Sequence, residues 1–372
     1  MTPVLTSCDH PLADVPGSQA SGGAASPSPG VKTRVLATSS PGRGVHRTDF
    51  PITAVGITWT GPQRGIRIRL YDKTGAPGAW QMVSAGCPCG KDPKDALVKT
   101  SAPSRALVPG RGSFGYQIDA PSQADIVNAT AVDAGLGPSP DAPGDGSPTH
   151  VSATPTVKPS PAFPPENFVS RAGWGADESK RFLPNGKESS PTRFFPLQAL
   201  TVHHTVTAND DPNPAATVRA IYELHAVGND WGDIGYHFLV DHNGRIYEGR
   251  WSGNDGIPAH DKDGKVVTAF HTIGFNSGNL GIALLGDFRT GRPSPAMRRS
   301  LTQLLASLAD KHGLDPQAGI AYRNPVNGKR KQARTLNGHR DWIPTECPGT
   351  TAYLGLEAIR ADVARLLKSA GR

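Results

Sequence analysis

The sequence predicts an α/β chain of the α+β kind, with a central mixed β-sheet flanked by helices behind a small all-β domain and a Pro-rich linker. Three observations lead there. Residues 46–135 hold short apolar segments of period two, residues 136–165 carry nine prolines, and residues 166–372 mix strand-like with helix-like segments. The 372 residues suffice for two ordinary domains and a connector. Hydrophobic residues make up 37%, enough for packed cores, while 43 Gly and 35 Pro require long irregular stretches beside them.

Each segment has its own texture. Residues 1–45 are rich in Ser, Gly, Pro and Ala without periodicity, and are expected to be disordered. From Phe50 the pattern changes: Val55, Ile57 and Trp59 alternate with small or polar residues, and Ile66, Ile68 and Leu70 alternate with Arg67 and Arg69. Such alternation marks half-buried strands, and it recurs to Ile126–Val132, so residues 46–135 read as the all-β domain. Residues 136–165 cannot bury a core and read as an extended, semi-rigid linker between independent domains. In residues 166–372 the strands are ALTVHHT, GYHFLVD, GRIYEGR and NLGIALLG. Ser294 as cap and Pro295 at the first position start a helix reaching about His312, with Met297, Leu301, Leu304, Leu305 and Leu308 inward. A last helix covers roughly 351–368, with Leu356, Ile359, Val363, Leu366 and Leu367 inward, and another lies near 214–226 through Val218, Ile221 and Leu224.

Charge and termini narrow the function class. The net charge of +7 is spread along the chain: 14 basic and 11 acidic residues precede position 166, and 25 and 21 follow. No dense Lys/Arg block supplies a nucleic-acid footprint. Mild basicity suits an anionic cell wall and a plain solvated surface equally. No run approaches the ~20 apolar residues of a transmembrane segment. The opening MTPVLTSCDHPLADVPG lacks the basic start and apolar core of a signal peptide, and Leu5-Thr6-Ser7-Cys8 lacks the apolar run a lipoprotein box needs. Cys87-Pro88-Cys89 reads as two unrelated thiols or a surface disulfide, since no further Cys or His stands near them in sequence.

Three stretches carry chemistry. Thr201-Val202-His203-His204-Thr205 ends a strand, so its two imidazoles point to opposite faces. Gly338-His339-Arg340-Asp341-Trp342 is followed by Cys347-Pro348-Gly349, with Cys347 eight residues after His339. The third is Asp233-Ile234-Gly235-Tyr236-His237-Phe238. Two imidazoles and a thiolate can hold zinc and leave its fourth position open. Spacing alone is a weak signal, because His203 and His339 lie 136 residues apart and read equally as core or surface histidines.

The segments VSRAGWGADES, TVHHT, DIGYHFLVD, IYEGR, FHTIGFNSGNLGIALLGDF and GHRDWIPTECPG, in this order over residues 168–367, resemble the peptidoglycan recognition proteins. That family shares its fold with type-2 N-acetylmuramoyl-L-alanine amidases, and the all-β segment and Pro-rich linker look like secreted actinobacterial members. The resemblance implies Zn2+ on His203, His339 and Cys347, with Tyr236 beside the metal and Thr345 where phage enzymes have Lys and recognition proteins often have Thr. It implies hydrolysis of the amide between the N-acetylmuramic lactyl group and L-alanine, with peptidoglycan or muropeptides as partners and a secreted or wall-associated location. Members that only bind peptidoglycan typically lose the zinc Cys; its presence here favours the enzyme over the alternative, a non-catalytic recognition module. Thr345 cannot supply the positive charge of a Lys, which leaves the general acid and base open.

Other residues take simpler expectations. His271 matches a site-lining His of the family and is expected at the substrate; Arg250 reads first as a surface Arg and otherwise as a partner of a stem-peptide carboxylate. His204 packs behind its strand, and His237, facing away from Tyr236, has no role. His225, His242, His260 and His312 read as surface residues. Trp174 and Trp342 support the fold, and Arg340 and Asp341 orient the His339 loop.

Overall fold

The computed structural model describes residues 31–62, 64–86, 89–91, 103–138, 163–255 and 257–371. Cys87 and most of the Pro-rich linker lie outside them.

Strands β1 (Arg34–Ser39), β2 (His46–Thr60), β3 (Arg67–Tyr71), β4 (Gln81–Met82), β5 (Ser104–Asp119) and β6 (Asp125–Asp133) form one antiparallel sheet in the order β1-β6-β2-β5-β3-β4. The alternating residues fill its core: Ile57, Trp59, Ile66 and Ile68 are fully enclosed. Strand β1 lies inside the stretch expected to be disordered. It is an edge strand exposed along nearly its whole length, so it carries no burial alternation for a sequence pattern to reveal. Its pairing with β6 and the Arg34–Asp133 ion pair hold it.

The second unit is a three-layer sandwich. Strands β7 (Phe168–Val169), β8 (Ala199–His204), β9 (Phe238–Val240), β10 (Ile246–Glu248), β11 (Asn279–Leu284) and β12 (Leu336–Gly338) form a mixed sheet in the order β12-β8-β11-β9-β10-β7. All neighbours are parallel except β9 and β10. Helices α2 (Pro295–His312) and α3 (Thr350–Ser369) cover one face, where Leu200, Val202, Phe238 and Ile282 meet Leu301, Leu305, Leu308 and Ile359. Helix α1 (Pro214–Glu223) covers the other, through Val218, Ile221 and Tyr222 against Leu239, Tyr247 and Ala283. Helix α2 starts where its cap dictates, Ser294 Oγ accepting from Met297 N at 3.0 Å. Leu366 of α3 is exposed rather than inward, while the neighbouring Leu367 packs against the core. Tyr236 and His237 precede β9 instead of lying on it. Trp174 and Trp342 are buried, as framework residues should be. No helix of the described residues is long and apolar enough to cross a membrane.

The two units are joined by more than a connector. Ala54 and Val132 of the first sheet pack with Ala220 of α1, and Leu107 and Leu224 close the same cluster. Gly56 is required there, since a Cβ would stand 2.4 Å from Leu224 Cδ2. Arg219, on the buried face of α1, donates to the carbonyls of Ala134 (2.9 Å), Pro138 (3.0 Å) and Trp174 (2.7 Å). Replacing Arg219 by Ala removes three charge-assisted donors and leaves these carbonyls facing a void. The loss expected is roughly 1–3 kcal/mol, read as a lower midpoint in denaturant unfolding; an unchanged midpoint would show that the units do not support each other.

Candidate active site

Parallel pairing assembles the site. Strand β8 lies between β11 and β12 with Val202 opposite Gly338 and His203 opposite Ala283. His339 follows β12 directly, so both imidazoles emerge at the same carboxyl edge of the sheet, where open α/β sheets place their sites. Their ring centroids are 4.5 Å apart. Cys347 Sγ lies 3.6 Å from His203 Nδ1 and accepts from His204 N at 3.3 Å.

Hydrogen bonding assigns the tautomer of His203. His271 Nε2 faces the carbonyl of Asn279 at 3.0 Å and must carry its proton there. Its Nδ1 is then an acceptor, and His203 Nε2, 2.9 Å away, must donate to it. His203 Nδ1 is left with a lone pair aimed toward Cys347. Burial lowers the pKa of His203 and His339 well below 6.5, and neighbouring imidazoles lower it further. Both rings are therefore neutral at physiological pH, the state that binds metal.

The arrangement fits zinc. Zn–S of about 2.3 Å and Zn–N of about 2.0–2.1 Å put two tetrahedral ligands roughly 3.6 Å apart, the separation found between Cys347 and His203. Among the described residues, His203, His339 and, from the first unit, Cys89 offer donor atoms that all lie within 4.8 Å of one another. Cys347 is not one of these three and approaches them through His203 Nδ1.

The loop around Cys347 is tied to the site. Thr345 Oγ1 accepts from Cys347 N at 3.2 Å. The Arg340 guanidinium donates to Glu346 O, and Asp341 Oδ2 accepts from Gly338 N at 2.8 Å. Tyr236 stands with its ring 5.4 Å from that of His203 and 5.6 Å from that of His225. It borders a cleft between the units that Gly56, Arg105 and Leu107 line on one side and Leu224 and Trp231 on the other.

A chain-wide comparison gives this geometry its relatives. The family model described as N-acetylmuramoyl-L-alanine amidase matches residues 193–350. The human N-acetylmuramoyl-L-alanine amidase is 31% identical over 166 residues, 43% of this chain and 23% of the human protein. A peptidoglycan recognition protein of Bombyx mori is 31% identical over 150 residues, 40% of this chain and 70% of the insect protein. The chain belongs to the peptidoglycan recognition protein family. It spans about a quarter of the length of its human and porcine amidase relatives. The solved structure of wild-type Drosophila PGRP-LB matches 51% of this chain and 92% of its own at 28% identity, with a TM-score of 0.37.

The other residues singled out from the sequence take the following places. His271 has both ring nitrogens engaged by protein groups, Nδ1 by His203 and Thr272 and Nε2 by Asn279, so it buttresses His203 rather than facing a ligand. Arg250 is not a surface residue: it is buried, its guanidinium over the Phe270 ring and 4.0 Å from Asp233. His260 is buried against His312, Nε2 to Nε2 at 2.8 Å, and half-buried His225 has its ring tilted against that of Trp231, 4.6 Å away. His237 is locked by Val267 O and Gly281 N. His204 turns to the opposite face, where Nδ1 accepts from Phe288 N at 3.2 Å. Cys89 is buried and is a free thiol among the described residues. Its neighbours are contributed by the other unit, and proximity along the chain could not reveal them.

Two predictions follow from this packing. A Cβ on Gly281 would stand 2.5 Å from His271 Cγ, so Gly281→Ala should push the ring away from His203 and weaken zinc binding by about 10–100-fold, measured by competition with a chromophoric chelator; unchanged affinity would remove His271 from the metal's support. The second concerns acid. His204, His271, His260 and His312 are lowered from 6.5 to about 4, chiefly by burial. Between those values the unfolded chain binds more protons, so metal-free protein should lose stability as pH falls from about 6.5 to 4. Denaturant midpoints flat across that range would contradict neutral buried imidazoles.

Proposed function

We propose that this chain is a zinc-dependent N-acetylmuramoyl-L-alanine amidase. It hydrolyses the amide between the lactyl group of N-acetylmuramic acid and L-alanine, with peptidoglycan and muropeptides as partners in a secreted or wall-associated setting. The observation that carries the reading is the pairing of two neutral imidazoles with a thiol at one sheet edge, beside a tyrosine. His203, His339 and Cys347 would hold the zinc. The bound metal supplies Lewis-acid polarisation of the scissile carbonyl and lowers the pKa of an attacking water toward ~7.

The remaining chemistry belongs to side chains. His271 fixes the His203 tautomer and ring plane, so the Nδ1 lone pair needs no reorganisation. The Tyr236 phenol, its ring 5.4 Å from that of His203, would donate to the oxyanion that develops on the carbonyl. Thr345 accepts from Cys347 N and keeps its own hydroxyl proton available for the oxyanion or the leaving nitrogen.

A second reading, binding without hydrolysis, is favoured by the recognition name of the Bombyx mori relative. Cys347→Ser separates the two, because a Ser hydroxyl stays protonated at neutral pH and ligates zinc poorly. Turnover of soluble muropeptides, followed by chromatography, should fall on the order of a hundredfold or more. Calorimetric affinity for the same muropeptide should change far less. Undiminished turnover would remove Cys347 from the mechanism, and a wild-type protein that binds but never hydrolyses would establish the recognition reading.

A further inference from the structure

We propose that Cys89 is a fourth protein ligand of the zinc site, by which the N-terminal β unit restrains the amidase beneath it. The proposal rests on the zinc-amidase reading above. Its carrying observation is geometric: the thiol of Cys89 and one nitrogen each of His203 and His339 lie within 4.8 Å of one another, all three residues buried.

Packing alone also provides a place for this side chain, since Cys89 touches Trp231 and Phe270 as a small apolar residue would. That account leaves unexplained why its sulfur reaches the imidazoles. The sulfur is steered there: Sγ donates to the carbonyl of His271 at 3.1 Å, the residue that orients His203. The loop that carries Cys89 is fastened on both sides. Gly86 N donates to Arg105 O at 2.6 Å within the β unit, and Asn276 Nδ2 donates to Gly90 O at 2.8 Å from the other unit. Asn276 also accepts from Thr272 N at 2.7 Å, so the turn that follows His271 grips the Cys89 loop directly. Arg289 reaches Ser84 in the same loop.

The chemical consequence follows from ligand count. Three protein ligands leave zinc an open position for water and substrate, whereas four close it. A thiol that binds zinc loses its proton, and a bound thiolate competes directly with the water and carbonyl oxygen that hydrolysis needs. The β unit therefore acts as a tethered competitive ligand, and productive binding requires Cys89 to leave the metal. On release the S–Zn contact is exchanged for water at the metal, and the thiolate takes a proton from solvent and donates again to the His271 carbonyl.

The test uses the full chain loaded with Co(II), whose thiolate-to-metal absorption grows with the number of bound thiolates, alongside the zinc form. Wild type should show the intensity of two thiolates, and Cys89→Ala, Cys89→Ser and Cys347→Ala should each show one. Zinc should dissociate on the order of tenfold more readily from Cys89→Ala, while its turnover of soluble muropeptides should rise on the order of tenfold. Circular dichroism of both Cys89 variants establishes that they are folded. Cobalt absorption and zinc affinity unchanged in both variants would overturn the proposal. Loss of one thiolate signal with no hydrolysis by any form would support the ligand assignment and overturn the amidase reading.

Discussion

The site depends on one constraint, the in-register parallel pairing of β8 with β11 and β12. It brings His203 and His339 together from positions 136 residues apart and sets them level at one sheet edge. Thr201 reinforces that register from inside the sheet: its hydroxyl joins Asn279 on β11 and Asn337 on β12, and the Trp342 indole donates to it at 2.8 Å. A slip of one residue would turn every side chain of β8 to the other face. His203 would then enter the layer that Leu200 and Val202 fill against α2 and α3.

Above that edge, the polar interior works as a relay of fixed tautomers. The Asn279 carbonyl orients His271, His271 orients His203, and the lone pair of His203 faces Cys347. Gly281, on the strand beneath, leaves the space in which the His271 ring lies. Burial makes the imidazoles poor bases, which destabilises the fold in acid and keeps the nitrogens available to a metal at neutral pH. The β unit then roofs the site. Its contacts with α1 and with the turn after His271 bring the thiol of Cys89 within 4.8 Å of a nitrogen of His203 and of His339.

What the sequence could reveal was governed by distance. Helix α2 was legible from Ser294, Pro295 and a stripe of leucines, because caps and stripes are local. The strands of the first sheet were legible wherever one face is buried, and β1 was hidden because neither of its faces is. The motif residues His203, His339 and Cys347 stood out only through resemblance, since nothing in their spacing states that β8 and β12 are neighbours. Cys89 was invisible for the same reason in stronger form: its partners come from another unit. His271 and Arg250 were assigned to the substrate, yet hydrogen bonds to Asn279 and His203 in one case, and burial beside Asp233 in the other, give them interior partners. His260, buried beside half-buried His312, shows that a histidine in a polar-looking segment can still be enclosed when two distant segments meet.

The central claim is that this sheet edge cleaves one particular amide with metal assistance, and the released ends test it most directly. Peptidoglycan incubated with the zinc-loaded protein should yield new L-alanine amino termini in equal number to muramic acids bearing a free lactyl carboxylate. Both should vanish with a chelator and return with added zinc. Cleavage at another bond, or the same products from rigorously metal-free protein, would contradict the account.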